Sequence, residues 1–238
     1  MSKFTFKQFS IIQDKTAMKV GVDGVMLGAW ADVESAENIL DVGTGTGLIA
    51  IMLAQRNHTA YIDTVEIDEM AYKQAVENAN NCKWKERINV IHNKFQSFAK
   101  TVQKRYDLIV SNPPYFIASL QSPKVQRTLA RHSELLTQDD LICGVENILT
   151  EKGKFCAIFP YIEANIFIAK AAAVNLFCNK KTNVKTKPEK PVKRILLEFS
   201  RTKQKLLETT VCIENSERHA YTNEYKMLTK DFYLKFHR

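Results

Sequence analysis

Apolar and polar positions along this chain of 238 residues follow two different spacings in turn. Short runs rich in apolar side chains, which are typical of buried strands, lie at 38–42, 61–67, 88–92, 106–111 and 155–160. Apolar residues at helical spacing predict helices at about 47–56, 70–80, 138–152 and 163–174. Strands and helices that alternate in this way predict an α/β fold, with a mostly parallel, doubly wound sheet and helices on both of its faces.

Two of the predicted helices have boundary signals of their own. Thr137 and Asp140 stand where a capping box would begin the helix at 138–152, and Gly153 is expected to stop that helix. Asp68 is expected to cap the helix at 70–80 rather than to contact a ligand.

The pattern changes after the last of these helices. Segments 176–187 and 193–201 flank the turn-rich sequence Lys-Pro-Glu-Lys-Pro, which predicts an antiparallel hairpin that closes the sheet. No repeat, low-complexity tract or linker separates it from the rest, so we expect a single domain over 1–238. Residues 176–206 are called the basic hairpin below.

The formal charge of +8 is concentrated in the basic hairpin. Residues 176–206 contain ten basic and two acidic residues, whereas the rest of the chain contains 24 of each sign. A basic stripe on a neutral body favours a polyanionic partner. The alternative is a lysine-rich hairpin that is merely solvated.

Composition narrows the class of protein. Hydrophobic residues make up 45% of the chain and charged residues 25%, which is ordinary for a globular domain. No apolar run approaches the roughly 18 to 20 residues of a membrane span, and the N-terminus lacks the apolar core of a secretory signal. The five cysteines are widely spaced and contain no Cys-x-x-Cys pair. We therefore expect reduced thiols in a cytoplasmic protein without a metal site.

A glycine-rich sequence lies where the first of these strands ends and a helix begins. Asp41 precedes Gly43, Gly45 and Gly47, and Glu66 follows Gly47 by 19 residues, at the end of the next strand. Glycines there admit a ligand close to the backbone, and an acidic residue at that place reaches ribose hydroxyls. The third glycine is one position too early for the dinucleotide fingerprint. The motif favours a nucleoside cofactor without a pyrophosphate, which points to S-adenosylmethionine.

The second motif, Asn112-Pro113-Pro114-Tyr115, directly follows the strand at 106–111. An amine conjugated to a ring is a poor nucleophile because its lone pair is delocalised. The Asn112 side-chain oxygen and the Pro113 carbonyl could accept both of its hydrogens, while Tyr115 stacks on the planar group. Such positioning drives attack on a sulfonium methyl without a strong general base.

Together the two motifs resemble class I S-adenosylmethionine-dependent methyltransferases of amino groups, with a Rossmann-like fold. The flanking sequences are similar to the bacterial tRNA1(Val) adenine-N6 methyltransferase family. They are Phe6-Lys-Gln-Phe-x-Ile, the stretch from Met18 to Trp30, Arg131-His132, and the C-terminal blocks Tyr221-Thr-Asn-Glu-Tyr and Asp231 to Phe236. The resemblance covers essentially the whole chain and implies methylation of N6 on adenosine 37, beside the anticodon.

The resemblance also assigns roles to particular residues. It implies that residues 1–35 form an extension over the cofactor site and that the tRNA anticodon stem-loop is the partner of a monomer. The cofactor-binding residues it implies are Lys19, Gly21, Asp23, Asp41, Gly43, Gly45, Gly47 and Glu66. The catalytic residues it implies are Asn112, Pro113, Pro114 and Tyr115. Charge adds candidate nucleic-acid contacts at Lys181, Lys185, Lys187, Lys190 and Arg194.

One position departs from the family pattern. Related enzymes have a small acidic residue near the cofactor adenine, where this chain reads His92-Asn93-Lys94. We expect Asn93 or the backbone of Phe95 to substitute for it. His132 is expected to be a loop residue, because this chemistry needs no histidine base.

Three other functions are each compatible with part of the sequence. A glutamine-N5 methyltransferase acting on a protein such as a release factor also uses Asn-Pro-Pro-Tyr, but typically has a helical domain before the core, and only 40 residues precede Asp41. A DNA adenine methyltransferase usually needs an added recognition domain. A non-catalytic RNA-binding relative would be expected to have lost Asn112 or the glycines.

Overall fold

The computed structural model describes residues 2–16, 18–114, 136–217 and 220–235, which form one eight-stranded sheet, a small hairpin and seven helices. The strands are β1 (Lys3–Thr5), β2 (Ser10–Ile12), β3 (Asn38–Val42), β4 (Tyr61–Glu66), β5 (Ile88–His92), β6 (Tyr106–Ser111), β7 (Leu149–Pro160), β8 (Phe177–Lys185), β9 (Val192–Ser200) and β10 (Leu207–Cys212). The helices are α1 (Val22–Trp30), α2 (Leu48–Arg56), α3 (Glu69–Asn80), α4 (Phe95–Thr101), α5 (Gln138–Ile148), α6 (Tyr161–Ala172) and α7 (Asn223–Thr229).

The strand order in the sheet is β10-β8-β9-β7-β6-β3-β4-β5. The chain builds from β3 outward to β4 and β5 on one side, and then returns to place β6 and β7 on the other, all parallel. The order therefore reverses between β3 and β6, and in such sheets ligands bind beside the carboxyl ends of the strands at that point. β9 runs antiparallel to both β7 and β8, as the predicted hairpin requires. The expectation that this hairpin closes the sheet is wrong, because β10 pairs with β8 and forms the edge.

Apolar helices cover both faces of this sheet. On one face α4, α5 and α6 bury residues such as Phe98, Val145 and Phe167 against the strands. On the other face α1, α2 and α7 do the same with residues such as Leu27 and Ile49. The predicted α/β architecture is confirmed, because a parallel sheet buried on both faces needs helices on each side.

Several local predictions are confirmed by the backbone. The strands at 38–42, 88–92 and 106–111 have the expected bounds. Thr137 and Asp140 form a complete capping box at the start of α5. Asp68 accepts a hydrogen bond of 2.8 Å from the backbone N–H of Ala71 and so caps α3.

The predicted end of the helix at 138–152 is wrong. Helix α5 ends at Ile148, and Leu149 already pairs with Tyr106 of the neighbouring strand. Gly153 lies within β7 and does not stop a helix. A Cβ on Gly153 would come within 2.7 Å of a Leu149 methyl carbon, so the glycine is there because the Leu149 side chain lies over it.

Among the described residues, six elements have no counterpart in the sequence prediction: β1, β2, α1, α4, β10 and α7. The short strands and helices among them offer too few residues for a periodic signal. Helix α1 is buried over seven of its nine residues, so it shows no polar face. Of the helices in the described part of the chain, none has the length and apolar composition that crossing a membrane requires.

Candidate active site

The two sequence motifs meet at the carboxyl edge of the sheet. Val42 of β3 pairs in register with Ser111 of β6, so the residues that follow them, Gly43 and Asn112, lie side by side. The Ser111 hydroxyl donates a hydrogen bond of 2.9 Å to the Val42 carbonyl and ties the two strand ends together. Both motifs therefore lie at the point where the strand order of the sheet reverses.

The glycine loop that follows β3 has a backbone that only glycine adopts without strain. Gly43, Gly45 and Gly47 have φ angles of 71°, 58° and 80°. A Cβ on Gly43 or Gly45 would meet nothing within 4 Å, so open space faces the backbone there. A Cβ on Gly47 would instead contact Ala75 at 3.6 Å. Two of the three glycines thus leave room for a ligand, whereas the third is packed against α3.

Asp41 lies behind this loop and is fully buried. One oxygen, Oδ2, accepts a hydrogen bond of 2.6 Å from the Thr44 hydroxyl. The other, Oδ1, has no hydrogen-bond partner among the described residues. Burial raises the pKa of the Asp41 carboxyl to about 7, against the lowering effect of the Thr44 hydrogen bond. Asp41 therefore supports the loop from within and is not part of the surface that faces solvent.

Glu66, at the end of β4, holds the loop from the other side. Its Oε2 accepts a hydrogen bond of 2.8 Å from the N–H of Gly45, and its Oε1 accepts bonds of 2.9 Å from the N–H groups of Ile67 and Asp68. A carboxylate has about four acceptor positions, so room for a further donor remains. The Asn93 N–H donates to the Glu66 carbonyl at 3.0 Å, which places Asn93 beside the same strand end.

A cavity of about 520 Å³ opens in front of the glycine loop and is called the main cavity below. Segments 18–24, 43–46 and 184–194 supply most of its walls, together with Asn112. It therefore unites several residues that sequence reasoning proposed separately, namely Lys19, Gly21, Asp23, Gly43, Gly45, Asn112 and Arg194. Asp41, Gly47, Glu66 and Asn93 do not line it and lie behind or beside its walls. The volume suits a small-molecule site.

An ion pair fixes one wall of the main cavity. The Arg194 Nε, near the start of β9, donates to Asp23 Oδ2 in the first turn of α1 at 2.8 Å. Both side chains are more than two-thirds buried, which makes the pair stronger than a fully exposed one. Arg194 was predicted to bind nucleic acid, and the structure places it at the cavity, against a predicted cofactor residue. Lys193, which the sequence analysis did not single out, is exposed on the same wall.

The predicted catalytic motif is described only in part. Asn112 is half-buried and lines the main cavity, Pro113 is buried and Pro114 is exposed. Tyr115, Arg131 and His132 lie outside the described residues. The main chain of the two prolines has fixed φ angles, so the carbonyl of Pro113 is held in a narrow range of directions.

The basic hairpin uses part of its charge inside the protein. Three of its lysines make polar contacts through their ammonium groups: Lys181 pairs with Glu208 at 3.0 Å, Lys185 donates to the Pro188 carbonyl, and Lys187 donates to the Ser216 carbonyl at 2.8 Å. The ammonium group of a fourth, Lys180, lies 4.3 Å from the centre of the Trp30 ring. By contrast, the ammonium groups of Lys190 and Lys193 are exposed and have no partner in the part of the chain that the structure describes. The hairpin therefore has less available charge than its composition suggests.

No group of three or more His, Cys, Asp or Glu residues in the described part of the chain is arranged to hold a metal ion. The five cysteines are free thiols, and only Cys143 is exposed. Burial raises the pKa of Cys156 and Cys178, so these thiols stay protonated.

Comparison with known proteins finds relatives that match nearly the whole length of this chain. The methyltransferase small domain family matches residues 25–158. A tRNA1(Val) (adenine(37)-N6)-methyltransferase of Trichodesmium erythraeum is 48% identical over 237 residues, covering 99% of each chain. A protein of the same name from Flavobacterium psychrophilum is 46% identical over 233 residues, covering 98% of this chain and 99% of the relative.

Solved structures agree on the fold. A predicted O-methyltransferase from Agrobacterium tumefaciens superimposes with a TM-score of 0.70 at 18% identity, covering 88% of this chain and 96% of the other. M. capricolum TrmK in complex with S-adenosyl-homocysteine gives a TM-score of 0.55 at 14% identity, covering 79% of this chain and 71% of the other. At such identities the likeness concerns the fold alone.

Proposed function

The chain belongs to the tRNA1(Val) (adenine(37)-N6)-methyltransferase family, and on that premise we propose that it transfers a methyl group from S-adenosylmethionine to N6 of adenosine 37 in tRNA1(Val). The observation that carries the proposal is the position of Asn112 in the wall of the same cavity as Gly43 and Gly45. A methyl donor on the loop and an amine held by Asn112 would share one space.

S-adenosylmethionine fits the residues around the main cavity, and its sulfonium supplies the electrophilic methyl group. Gly43 and Gly45 leave the backbone open to a ligand, since no atom lies within 4 Å of a Cβ there. We assign the ribose hydroxyls to the remaining acceptor capacity of Glu66. Lys19, Gly21 and Asp23, on the wall formed by the N-terminal segment, face the methionine end in this assignment.

In this proposal, Asn112 and Pro113 activate the amine for attack on the methyl group. The lone pair of an exocyclic adenine amine is delocalised into the ring. When the Asn112 Oδ1 and the Pro113 carbonyl oxygen accept its two hydrogens, the nitrogen moves toward a tetrahedral donor aimed at the methyl group. Preorganised acceptors of this kind need no reorganisation during the reaction. Tyr115, next in the sequence, is proposed to stack on the base.

The basic hairpin is proposed to bind the anticodon stem-loop. Lys181, Lys185, Lys187, Lys190 and Arg194 were the candidates from charge alone. The exposed ammonium groups of Lys190 and Lys193 are best placed to reach phosphates, because the other side chains already have partners within the protein. A tRNA substrate also supports the proposal that the protein acts in the cytoplasm.

The experiment that tests this function incubates the purified protein with S-adenosylmethionine and bulk tRNA, and then analyses the nucleosides by mass spectrometry. The expected product is N6-methyladenosine, which the parent protein should make on the order of 10²-fold faster than Asn112→Ala. Methylated glutamine in a protein substrate, with no N6-methyladenosine in tRNA, would overturn the proposal in favour of a protein glutamine methyltransferase.

A further inference from the structure

A second cavity lies next to the main cavity and is called the side groove below. It has a volume of about 680 Å³ and lies between the N-terminal turns of α6 and the segment 186–193. Thr186 and Lys193 line both cavities, so the two are neighbours at that wall. The cofactor assignment and the catalytic motif leave the side groove without a role.

The floor of the side groove is unusually apolar for an exposed surface. Tyr161 is 48% exposed, Ile162 is 70% exposed and Ile166 is 47% exposed, all within the first two turns of α6. Ile162 and Ile166 are four residues apart and therefore lie on one side of the helix. Clusters of exposed large apolar side chains typically mark a binding surface.

The rim of the side groove adds charge to this apolar floor. The exposed ammonium groups of Lys190 and Lys193 stand on one side, and Glu163 is the acidic residue that lines the groove. An aromatic ring, aliphatic side chains and ammonium groups in one groove are the combination that binds an unpaired nucleotide, through stacking on the base and attraction of its phosphate.

The fold places the side groove within reach of the reacting base. Ala157 of β7 pairs in register with Ser111 of β6, so Pro160 and Tyr161 emerge at the same edge of the sheet as Asn112. An adenosine in a stacked anticodon loop must rotate out of the stack before its N6 can enter the main cavity. The nucleotide next to it then loses a stacking partner.

We propose that the side groove binds the base of the anticodon-loop nucleotide next to adenosine 37, with the Tyr161 ring replacing the stacking partner that leaves. This inference rests on the proposed function and adds a recognition site to it. Lys190 and Lys193 then contact the phosphates that flank this nucleotide. The groove selects an unpaired, flexible loop, because a base within a helix could not leave its neighbours at low cost.

The test compares Tyr161→Ala with Tyr161→Phe and with a matched control, Tyr61→Ala. Tyr61 is 62% exposed at the start of β4, at the opposite edge of the parallel sheet. Loss of one base–aromatic stack should lower kcat/KM for tRNA about tenfold in Tyr161→Ala. Tyr161→Phe and Tyr61→Ala should stay close to the parent. Calorimetry should give the same S-adenosylmethionine affinity for all four proteins, and their melting temperatures should agree.

A second measurement identifies the nucleotide. An anticodon stem-loop RNA with 2-aminopurine on either side of adenosine 37 should show fluorescence quenching on binding the parent at one of the two positions. The quenching should be lost in Tyr161→Ala and kept in Tyr161→Phe.

The outcomes separate the two proposals. If the parent makes N6-methyladenosine in tRNA and Tyr161→Ala matches Tyr61→Ala in kcat/KM and in quenching, the proposed function stands and the side groove binds something other than this nucleotide. If the parent makes no N6-methyladenosine in tRNA, both proposals fail together.

Discussion

The glycine loop and the basic hairpin both line the main cavity, and they are built in different ways. The loop is held by short contacts to the backbone, such as the 2.8 Å hydrogen bond from the Gly45 N–H to Glu66. The hairpin contributes long side chains whose charged ends lie at the surface or reach other parts of the chain. The loop is therefore fixed by buried groups, whereas the hairpin presents charge that is only partly available.

The difference shows how far each kind of sequence signal can be trusted. A glycine-rich loop after a strand predicts one feature, a backbone with positive φ angles, and all three glycines of the loop adopt such angles. A lysine in a charged stretch can play several roles, because its flexible side chain can reach many different partners. Lys181 bonds Glu208 and Lys187 bonds a carbonyl, so neither is as solvated as its place in a charged stretch suggests.

The largest effect is expected in Asn112→Ala, because Asn112 lines the main cavity together with the glycine loop and the basic hairpin. Removal of one preorganised acceptor should lower single-turnover methyl transfer on the order of 10²-fold. S-adenosylmethionine affinity, measured by calorimetry, should be nearly unchanged, because the glycine loop is intact.

Asn89→Ala is the matched control for this variant. Asn89 is an exposed asparagine in β5 whose amide donates to Asp63 at 2.9 Å, away from the main cavity. It should keep full turnover. Turnover in Asn112→Ala within a few-fold of this control would mean that other groups hold the amine.

The next largest effect is expected on the buried side of the loop, in Glu66→Ala. Hydrogen bonds to a charged group contribute about 1.5–3 kcal/mol, and three backbone N–H groups would lose their acceptor. Thermal unfolding should show lower stability, and calorimetry should show weaker S-adenosylmethionine binding.

This outcome distinguishes a supporting role from a ligand contact alone. Weaker binding with an unchanged melting temperature would mean that Glu66 acts only on the ribose. An unchanged affinity would place the ribose elsewhere.

A third comparison lies within the loop itself, between Gly45→Ala and Gly47→Ala. Both substitutions place a side chain at a positive φ angle and should cost about 1–2 kcal/mol of stability. Only the Gly45 methyl group would project into open space in the main cavity, whereas that of Gly47 would contact Ala75. Calorimetry should therefore show a larger loss of S-adenosylmethionine affinity in Gly45→Ala. Equal losses would indicate that strain, and not occupied space, weakens binding.

The smallest effect is expected in the basic hairpin, where two double variants can be compared. Lys190→Ala/Lys193→Ala removes exposed ammonium groups, whereas Lys181→Ala/Lys187→Ala removes groups with partners in the protein. Each lysine that contacts a phosphate should contribute about one unit to the salt dependence of tRNA binding. The first variant should flatten that slope by about two units and the second by less. Equal slopes for both variants and the parent would mean that the RNA binds elsewhere.

Local sequence determines much of this fold and less of its site. The strand at 106–111 was predictable from its run of apolar residues, and the capping box at Thr137 because its hydrogen bonds join residues only three positions apart. The end of α5 was not, because pairing of Leu149 with Tyr106 joins residues far apart in the chain. The same is true of Asp23 and Arg194, which are separated by 171 positions and meet only when β9 is placed beside β7.

The side groove was beyond sequence reasoning for a related reason. Tyr161 and Ile162 begin α6, two residues before the helix that the sequence predicts at 163–174. Their exposure follows from the position of the segment 186–193, which leaves a gap over them instead of covering them. A pattern of apolar residues predicts that a helix has an apolar side. It does not predict whether other parts of the fold cover that side.

The central claim is that the main cavity joins a methyl donor to the N6 amine of adenosine 37. The most direct test measures transfer of radiolabelled methyl groups to two transcripts of tRNA1(Val), one with adenosine and one with guanosine at position 37. Our account predicts that only the adenosine transcript accepts the label, as N6-methyladenosine. Equal labelling of the two transcripts would contradict it.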